Sequence, residues 1–449
     1  MGIFKANDIR GIYPDELNPE IIYKIGFFLP KILGADRILV GMDGRISSEA
    51  IFNILSSGII DSGADVCTIG LCDTPAVYFA TVKYEFDGSV MITASHNPAN
   101  HNGLKISGRN SIPIGPSTGL MELQTLIANE VIPSVEKGKI EKKDIKKEYV
   151  EHVRKFLSGS IELKVVMDCG NGASSAFAGE IFKSVIPNLT VLLDEADGNF
   201  PHHGPNPLEK ASWPIISKQI IEEQAELGVL FDGDGDRAIF FDEDGKFISP
   251  DIITSLIGHY FFKDGKETGE VFYDIRSSRS VSEYIAKLGG KAYSCVTGHA
   301  RIKKLLKEES GVYAGELSGH YYFRDNFYCD SGFIAAAIVM SVLSELKTPL
   351  SQLVTEINPY SFSGEINFIV ADQKRILNEL PHRFSKGTVS LLDGIRLDYD
   401  SWWFNLRPSG AESLLRLVVE AGSPEEMTEK VSVITNEILA LDSRCRKGV

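Results

Sequence analysis

One unit occurs three times in this 449-residue chain. A short apolar strand runs into an aspartate. A polar loop, a helix and a second apolar strand follow. The first copy spans a strand from Arg37 to Met42, the loop Asp43-Gly44-Arg45, a helix from about Ser47 to Ser62 and a strand from Asp65 to Ile69. The second has a strand from Lys164 to Met167, the loop Asp168-Cys169-Gly170-Asn171-Gly172, a helix through Phe182 and a strand from Leu189 to Leu193. The third has a strand from Glu270 to Tyr273, the loop Asp274-Ile275-Arg276-Ser277-Ser278, a helix through Leu288 and a strand from Lys291 to Val296. Alternating strand and helix selects mostly parallel sheets with right-handed crossovers. Three copies predict three similar mixed α/β domains. Beyond Asn358-Pro359-Tyr360 the pattern changes to strands at Ile366–Val370, Ile395–Tyr399, Trp402–Leu406 and Leu414–Val419, then a helix from Glu425 to Leu441. That segment predicts a C-terminal α+β domain. The expected domains are 1–143, 144–248, 249–361 and 362–449, several because the chain is too long for one core. Lys137 to Lys155, rich in lysine and glutamate, reads as a solvated helix or connector between the first two.

Charge narrows the partners. A net charge of −15 opposes nucleic acid and anionic membrane surfaces. An anionic ligand would need basic residues gathered locally. Six cysteines, none spaced Cys-x-x-Cys, point to reduced thiols in a cytoplasmic protein without a zinc site. The start of the chain lacks a signal-peptide layout. No apolar run reaches the ~20 residues of a membrane span. A monomer or dimer is expected.

Four stretches carry chemistry. In Gly88 to Lys105, the buried run Val90–Ile92 ends in a polar turn with Ser95 near its tip. Ligands of open α/β sheets bind at the carboxyl ends of strands. Pro98 bars helix at Asn97 and is expected to leave Ser95 exposed. Lys105 is expected close enough to neutralise a negative group on Ser95. In Phe231-Asp232-Gly233-Asp234-Gly235-Asp236-Arg237, three alternating carboxylates repel one another unless a cation sits among them, and the glycines let the backbone curl round it. An EF-hand does not fit: Arg237 stands where that loop needs glycine, and the flanks read as strands. A strand–metal loop–strand hairpin holding Mg²⁺ is expected. In Gly315-Glu316-Leu317-Ser318-Gly319-His320, Glu316 and Ser318 share a face suited to sugar hydroxyls, beside a histidine suited to proton transfer. Thr297-Gly298-His299 opens a basic helix whose amino end is either an anion site or a cap. In Arg407-Pro408-Ser409-Gly410-Ala411-Glu412, an arginine, a hydroxyl and backbone N–H groups suit a phosphate, and Glu412 could orient the arginine. Gly170-Asn171-Gly172 fails as a dinucleotide fingerprint because Ser175 occupies the third glycine position. His202 and His203, in the long loop Asp197 to Pro207, read as loop residues rather than metal ligands. A serine, a metal loop, a hydroxyl-binding loop and a phosphate clamp together state phosphoryl transfer to and from a serine on a phosphorylated polyol.

On these four motifs, in this order along the whole chain, the sequence resembles the α-D-phosphohexomutase family, most of all its phosphomannomutase/phosphoglucomutase branch. The resemblance implies a heart-shaped molecule with a central cleft. It implies a phosphorylated Ser95, and Mg²⁺ held by its phosphate with Asp232, Asp234 and Asp236. Glu316 and Ser318 would bind sugar hydroxyls. Arg237 and Arg276, with Arg407, Ser409, Gly410, Ala411 and Glu412, would complete substrate and distal-phosphate binding. Arg10, Lys105, His299 and His320 would stabilise charge or move protons. The implied activity interconverts hexose 1- and 6-phosphates of mannose or glucose through hexose 1,6-bisphosphate, which is also the activator. Departures from the family pattern are Ala411 for threonine and Gly410 for asparagine in the phosphate loop, Arg276 for lysine, and Asn7 for tyrosine. Two alternatives stay open: a phosphoglucosamine mutase, whose loop usually carries glutamine where Leu317 stands, and a sugar-phosphate-binding relative without turnover.

Overall fold

The computed structural model of the protein describes residues 2–5, 8–129, 136–384, 386–408, 414–442 and 445–447, with backbone only at 446 and 447. Its first three sheets share one strand order. In the first, His101–Gly108, Gly88–Ile92, Arg37–Met42 and Asp65–Leu71 lie side by side. In the second the corresponding strands are Ala238–Phe241, Leu227–Phe231, Val165–Asp168 and Leu189–Leu192. In the third they are Tyr321–Phe323, Tyr313–Gly315, Glu270–Asp274 and Lys291–Cys295. The last three of each set are parallel, and the leading strand returns antiparallel as half of a hairpin. The repeat therefore extends one hairpin beyond the unit visible in the sequence. That hairpin loop carries Ser95 in the first domain, Asp232 to Asp236 in the second and Glu316 to His320 in the third.

Lys137 to Lys155 is not a solvated connector. Ile140–Lys142 adds a parallel edge strand beside Asp65–Leu71. The helix Lys146–Arg154 then buries Tyr149, Val150, His152 and Val153 on one face. The charged residues around them are the polar face of an amphipathic helix, and the burial of its apolar face ties the first domain to the second.

A single apolar core runs through the first three domains, from Leu39 and Phe79 through Phe231 to Phe333 and Ile338. Its spine is the helix Gly332–Leu346, apolar on all sides and buried from Gly332 to Leu343. Phe333 packs edge-on to Phe231, with ring centroids 5.0 Å apart, just before the acidic loop begins. Among the described residues no single helix is long and apolar enough to cross a membrane. One pair, Gly332–Leu346 with Leu350–Ile357, passes that test only together and is bent by 95°. All six cysteines are free and buried.

The fourth domain is an antiparallel sheet in the order Thr388–Ser390, Ile395–Asp398, Trp402–Pro408, Leu414–Ala421, Ile366–Ile369, Arg446–Lys447, with the helix Pro424–Leu441 completing its own core. It meets the third domain through polar groups. Arg279 donates to the carbonyls of Tyr399 (3.0 Å) and Asp400 (2.8 Å). Arg396 donates to the carbonyl of Ile275 and stacks on Trp403. A polar joint beside separate cores is the usual signature of domains that move relative to one another.

Candidate active site

Ser95 sits three residues beyond the strand Gly88–Ile92 with φ of 50°, a conformation L residues rarely adopt. Contrary to expectation it is buried, with only 1% of its surface exposed. The acidic hairpin of the second domain closes over it. Ser95 Oγ donates to Asp232 Oδ2 at 3.0 Å and lies 3.3 Å from His96 Nδ1. That closure needs glycine at 233, where a Cβ would stand 2.6 Å from the Ser95 carbonyl oxygen.

Asp232, Asp234 and Asp236 are all buried, each offering one carboxylate oxygen within 4.8 Å of the others. Gly235, with φ of 73°, supplies the curl between them. Lys105 does not pair with Ser95. Its ammonium bridges Asp234 Oδ2 (2.6 Å) and Asp236 Oδ2 (2.5 Å). Thr74 Oγ1 donates to Asp234 Oδ2 at 2.6 Å. Burial, together with the charges of Asp234 and Asp236, pushes Asp232 well above the usual carboxylate range. Burial opposes ionisation of Asp236 too, but Lys105, His320 and Arg237 outweigh it and hold that group well below the range. Asp234 Oδ1 is buried without a hydrogen-bond partner. Three converging hard oxygen donors, one of them orphaned, fit a divalent cation.

Cations gather on the serine side. His96 is pushed down to about 2, by burial first and then by Arg237, Arg10 and Lys105. Arg10, from the strand Ile9–Ile12, donates to Asn97 Oδ1 at 2.6 Å and pairs with Asp8. Arg237, Arg10 and Lys105 thus bring positive charge to the serine side of a protein that is acidic overall.

The third domain's loop docks directly on this hairpin. Arg237 pairs backbone to backbone with His320, and Ala238 N donates to the Gly319 carbonyl at 3.1 Å. His320 Nε2 lies 3.2 Å from Asp236 Oδ1, while its Nδ1 is 2.9 Å from Ser318 Oγ. Glu316 is held at both oxygens, by Tyr322 Oη at 2.6 Å and Gly298 N at 2.9 Å. The amino end of the helix His299–Glu308 is thus engaged by a carboxylate of the chain itself. Burial and the charges of Lys303, Lys105 and His320 hold His299 well below its usual value, hence neutral.

Arg276 pairs with Asp274 through Nε at 2.8 Å. It also bears on the fourth domain: burial and the charge of Arg276 both lower Arg407. Arg407 Nη2 lies 3.3 Å from Glu365 Oε2. Ser409, Gly410, Ala411 and Glu412 lie outside the described residues.

Sequence reasoning missed Arg45, Asp330 and Lys303. Lys303, on the basic helix that His299 opens, is buried 2.8 Å from Asp330 Oδ1, which shares the Asp236–His320 cluster. Arg45 left a signal in the repeat itself. Asp43-Gly44-Arg45 and Asp274-Ile275-Arg276 are the same turn, each arginine N–H donating to Oδ1 of its aspartate at 3.1 and 2.9 Å. In the second copy Gly170 N donates likewise to Asp168 at 2.8 Å, and His203 Nε2, 3.4 Å from the same carboxylate, stands in for the guanidinium.

The chain matches four family descriptions in succession. They are phosphoglucomutase/phosphomannomutase alpha/beta/alpha domain I over residues 1–131, domain II over 147–245, domain III over 249–360, and the C-terminal domain over 365–436. It is 37% identical over 447 residues to a phosphomannomutase of Methanocaldococcus jannaschii, covering 98% of both chains. It is 38% identical over 459 residues to a phosphomannomutase of Vibrio cholerae, again covering 98% of both. A crystal structure of a phosphoglucomutase/phosphomannomutase family protein from Burkholderia thailandensis superposes with a TM-score of 0.90 at 27% identity, covering 100% of this chain and 99% of the other.

Proposed function

The chain belongs to the phosphoglucomutase/phosphomannomutase family and is a phosphohexomutase, an isomerase of phosphorylated sugars; from that premise we propose that it interconverts the 1- and 6-phosphates of mannose, glucose or both, with Ser95 as phosphoryl carrier. The observation that carries this reading is the meeting of Ser95 Oγ with Asp232 across two domains at 3.0 Å. Phosphorylated Ser95 gives up its phosphoryl group to the free hydroxyl of a hexose monophosphate. The Ser95 O–P bond breaks and the sugar O–P bond forms. His320, when neutral, takes the hydroxyl proton, leaving hexose 1,6-bisphosphate. After the sugar turns end for end, the other phosphoryl group returns to Ser95 and the sugar oxygen recovers its proton.

Lys105, paired with two carboxylates, is held charged, so it acts as a fixed cation and not as a base. With Arg10 and Arg237 it offsets the charge of the group in transit. Asp232, Asp234, Asp236 and an oxygen on Ser95 would hold Mg²⁺, which when bound draws charge from the phosphate ester. Glu316, fixed by Tyr322 and Gly298, and Ser318 read hydroxyls shared by both orientations of the sugar. The charge of Arg276 lowers Arg407, and a distal phosphate dianion beside Arg407 relieves that repulsion.

The test is isomerisation of mannose, glucose and glucosamine phosphates with Mg²⁺ and catalytic hexose 1,6-bisphosphate. Turnover of the first two sugars, lost in Ser95→Ala, is expected. Full activity in Ser95→Ala would overturn the assignment. A preference for glucosamine phosphate would move the chain to another branch of the family.

A further inference from the structure

We infer that Arg45, braced from outside by the loop Asp197 to Pro205 of the second domain, is the positioning residue that holds Ser95 in its reactive place. The inference rests on the reading of Ser95 as phosphoryl carrier. The Arg45 side chain is fully buried. All five of its N–H donors are used. Nε donates to Asp43 Oδ2 at 3.0 Å. Nη1 donates to the carbonyls of Pro98 (2.7 Å) and His101 (3.0 Å). Nη2 donates to those of Ser95 and Asn97, both at 2.7 Å. One guanidinium thus gathers four carbonyls of the loop, including that of Ser95 itself. Ser95 has φ of 50°. Strained residues of this kind persist only where their surroundings over-determine them. Arg45 supplies that determination, and only a planar fork with five donors can.

The outer loop of the second domain fixes Arg45 in turn. The Phe200 ring lies 5.1 Å from the guanidinium carbon. Gly198 presses so closely that a Cβ there would meet Ile46 N at 2.4 Å and Arg45 Cα at 2.7 Å. The Pro205 carbonyl accepts from Gly233 N at 3.1 Å. One loop therefore touches both the grip on Ser95 and the acidic hairpin, and sets the two relative to each other. This gives a task to the segment that contains His202 and His203, which the chemistry above leaves unused. It also separates two copies of one turn: Arg276 keeps the same pairing with its aspartate, whereas Arg45 is also turned inward onto the backbone.

The test uses the full chain with Arg45→Lys and Gly198→Ala. Lysine keeps the charge but loses the fork. For Arg45→Lys we expect kcat to fall about 100-fold with KM changed less than about threefold, because a displaced reacting atom costs turnover and not ground-state binding. The rate at which Ser95 takes phosphate from hexose 1,6-bisphosphate, read by intact mass, should fall with it. Gly198→Ala should lose about tenfold in the same two quantities. Wild-type kcat in folded Arg45→Lys overturns the inference. So does a fall in kcat that disappears once rates are divided by the folded fraction measured by circular dichroism. If Arg45→Lys does not fold, Gly198→Ala decides by the same kcat per folded molecule. Activity retained in Ser95→Ala would remove the underlying reading, whereas inactive Ser95→Ala beside unaffected Arg45→Lys removes this inference alone.

Discussion

Lys105→Met isolates what the acidic hairpin costs when its cations are taken away. The Lys105 ammonium lies 2.6 Å from Asp234 and 2.5 Å from Asp236, with the lysine side chain 10% exposed and the two carboxylates 0% and 2%. Methionine keeps most of the volume and removes the charge. Breaking a buried pair from one side typically costs about 3–5 kcal/mol, since the partner charges stay behind unpaired. For a cooperative unit of roughly 150–250 residues that is a fall of roughly 6–20 °C in melting midpoint. Two dependences make the effect specific. A divalent cation can replace the lost ammonium, so the variant should gain more from Mg²⁺ than the parent does. The carboxylates can also escape by protonation. Without Lys105, burial raises Asp236 instead of its being held down, and an acid so raised contributes stability that is lost as pH rises. The deficit should therefore be larger at pH 8 than at pH 5. Differential scanning in chelator and in Mg²⁺, at both pH values, measures all three. A variant within about 1 kcal/mol of the parent in chelator, or an equal Mg²⁺ shift in both proteins, would refute the reasoning.

Further predictions follow from other parts of the molecule. Asp73 is buried, caps the helix Thr74–Lys83, and burial lifts it to about 8 despite its hydrogen bond from Tyr149. Its folded pKa exceeds the ordinary aspartate value of 3.8, so stability declines as pH rises from about 4 to about 8. Asp73→Asn should flatten that slope, and parallel melting profiles would speak against it. Phe333→Ala should cost about 3–5 kcal/mol by opening a cavity under the acidic hairpin; a loss below about 1 kcal/mol in denaturant titration would contradict the packing described. Arg279→Ala leaves Glu420, 0% exposed, without its facing guanidinium. Proteolysis between the third and fourth domains should then accelerate, and an unchanged cleavage rate would count against the polar joint. Arg407→Ala should raise KM roughly 10- to 100-fold through a lost charged contact to phosphate. An unchanged KM would remove Arg407 from the distal-phosphate site.

The repeat was legible because it is written in local physics. Apolar strands ending in Asp43, Asp168 and Asp274 must bury themselves in parallel sheets, and their loops must emerge at the carboxyl ends. The acidic hairpin was legible for a similar reason: Asp232, Asp234 and Asp236 cannot coexist without compensation. Lys137 to Lys155 was misread because its charge density is local, while the value of burying Tyr149 and Val153 depends on a partner surface far along the chain. Ser95 was expected open to solvent because nothing near it in sequence covers it; the cover, Asp232 with Gly233, is supplied by another domain.

The amino-acid sequence alone determined which residues could do the chemistry, since serine, carboxylate, histidine and arginine are chosen by reactivity and presented by turns that short segments specify. Only the tertiary structure decided which of them meet. It gave Lys105 to the carboxylates instead of the serine, and turned Arg45 inward to grip the Ser95 loop. The reason is that side-chain pairing energies become decisive only after long-range packing has excluded water and set neighbours, and packing is a property of the whole chain.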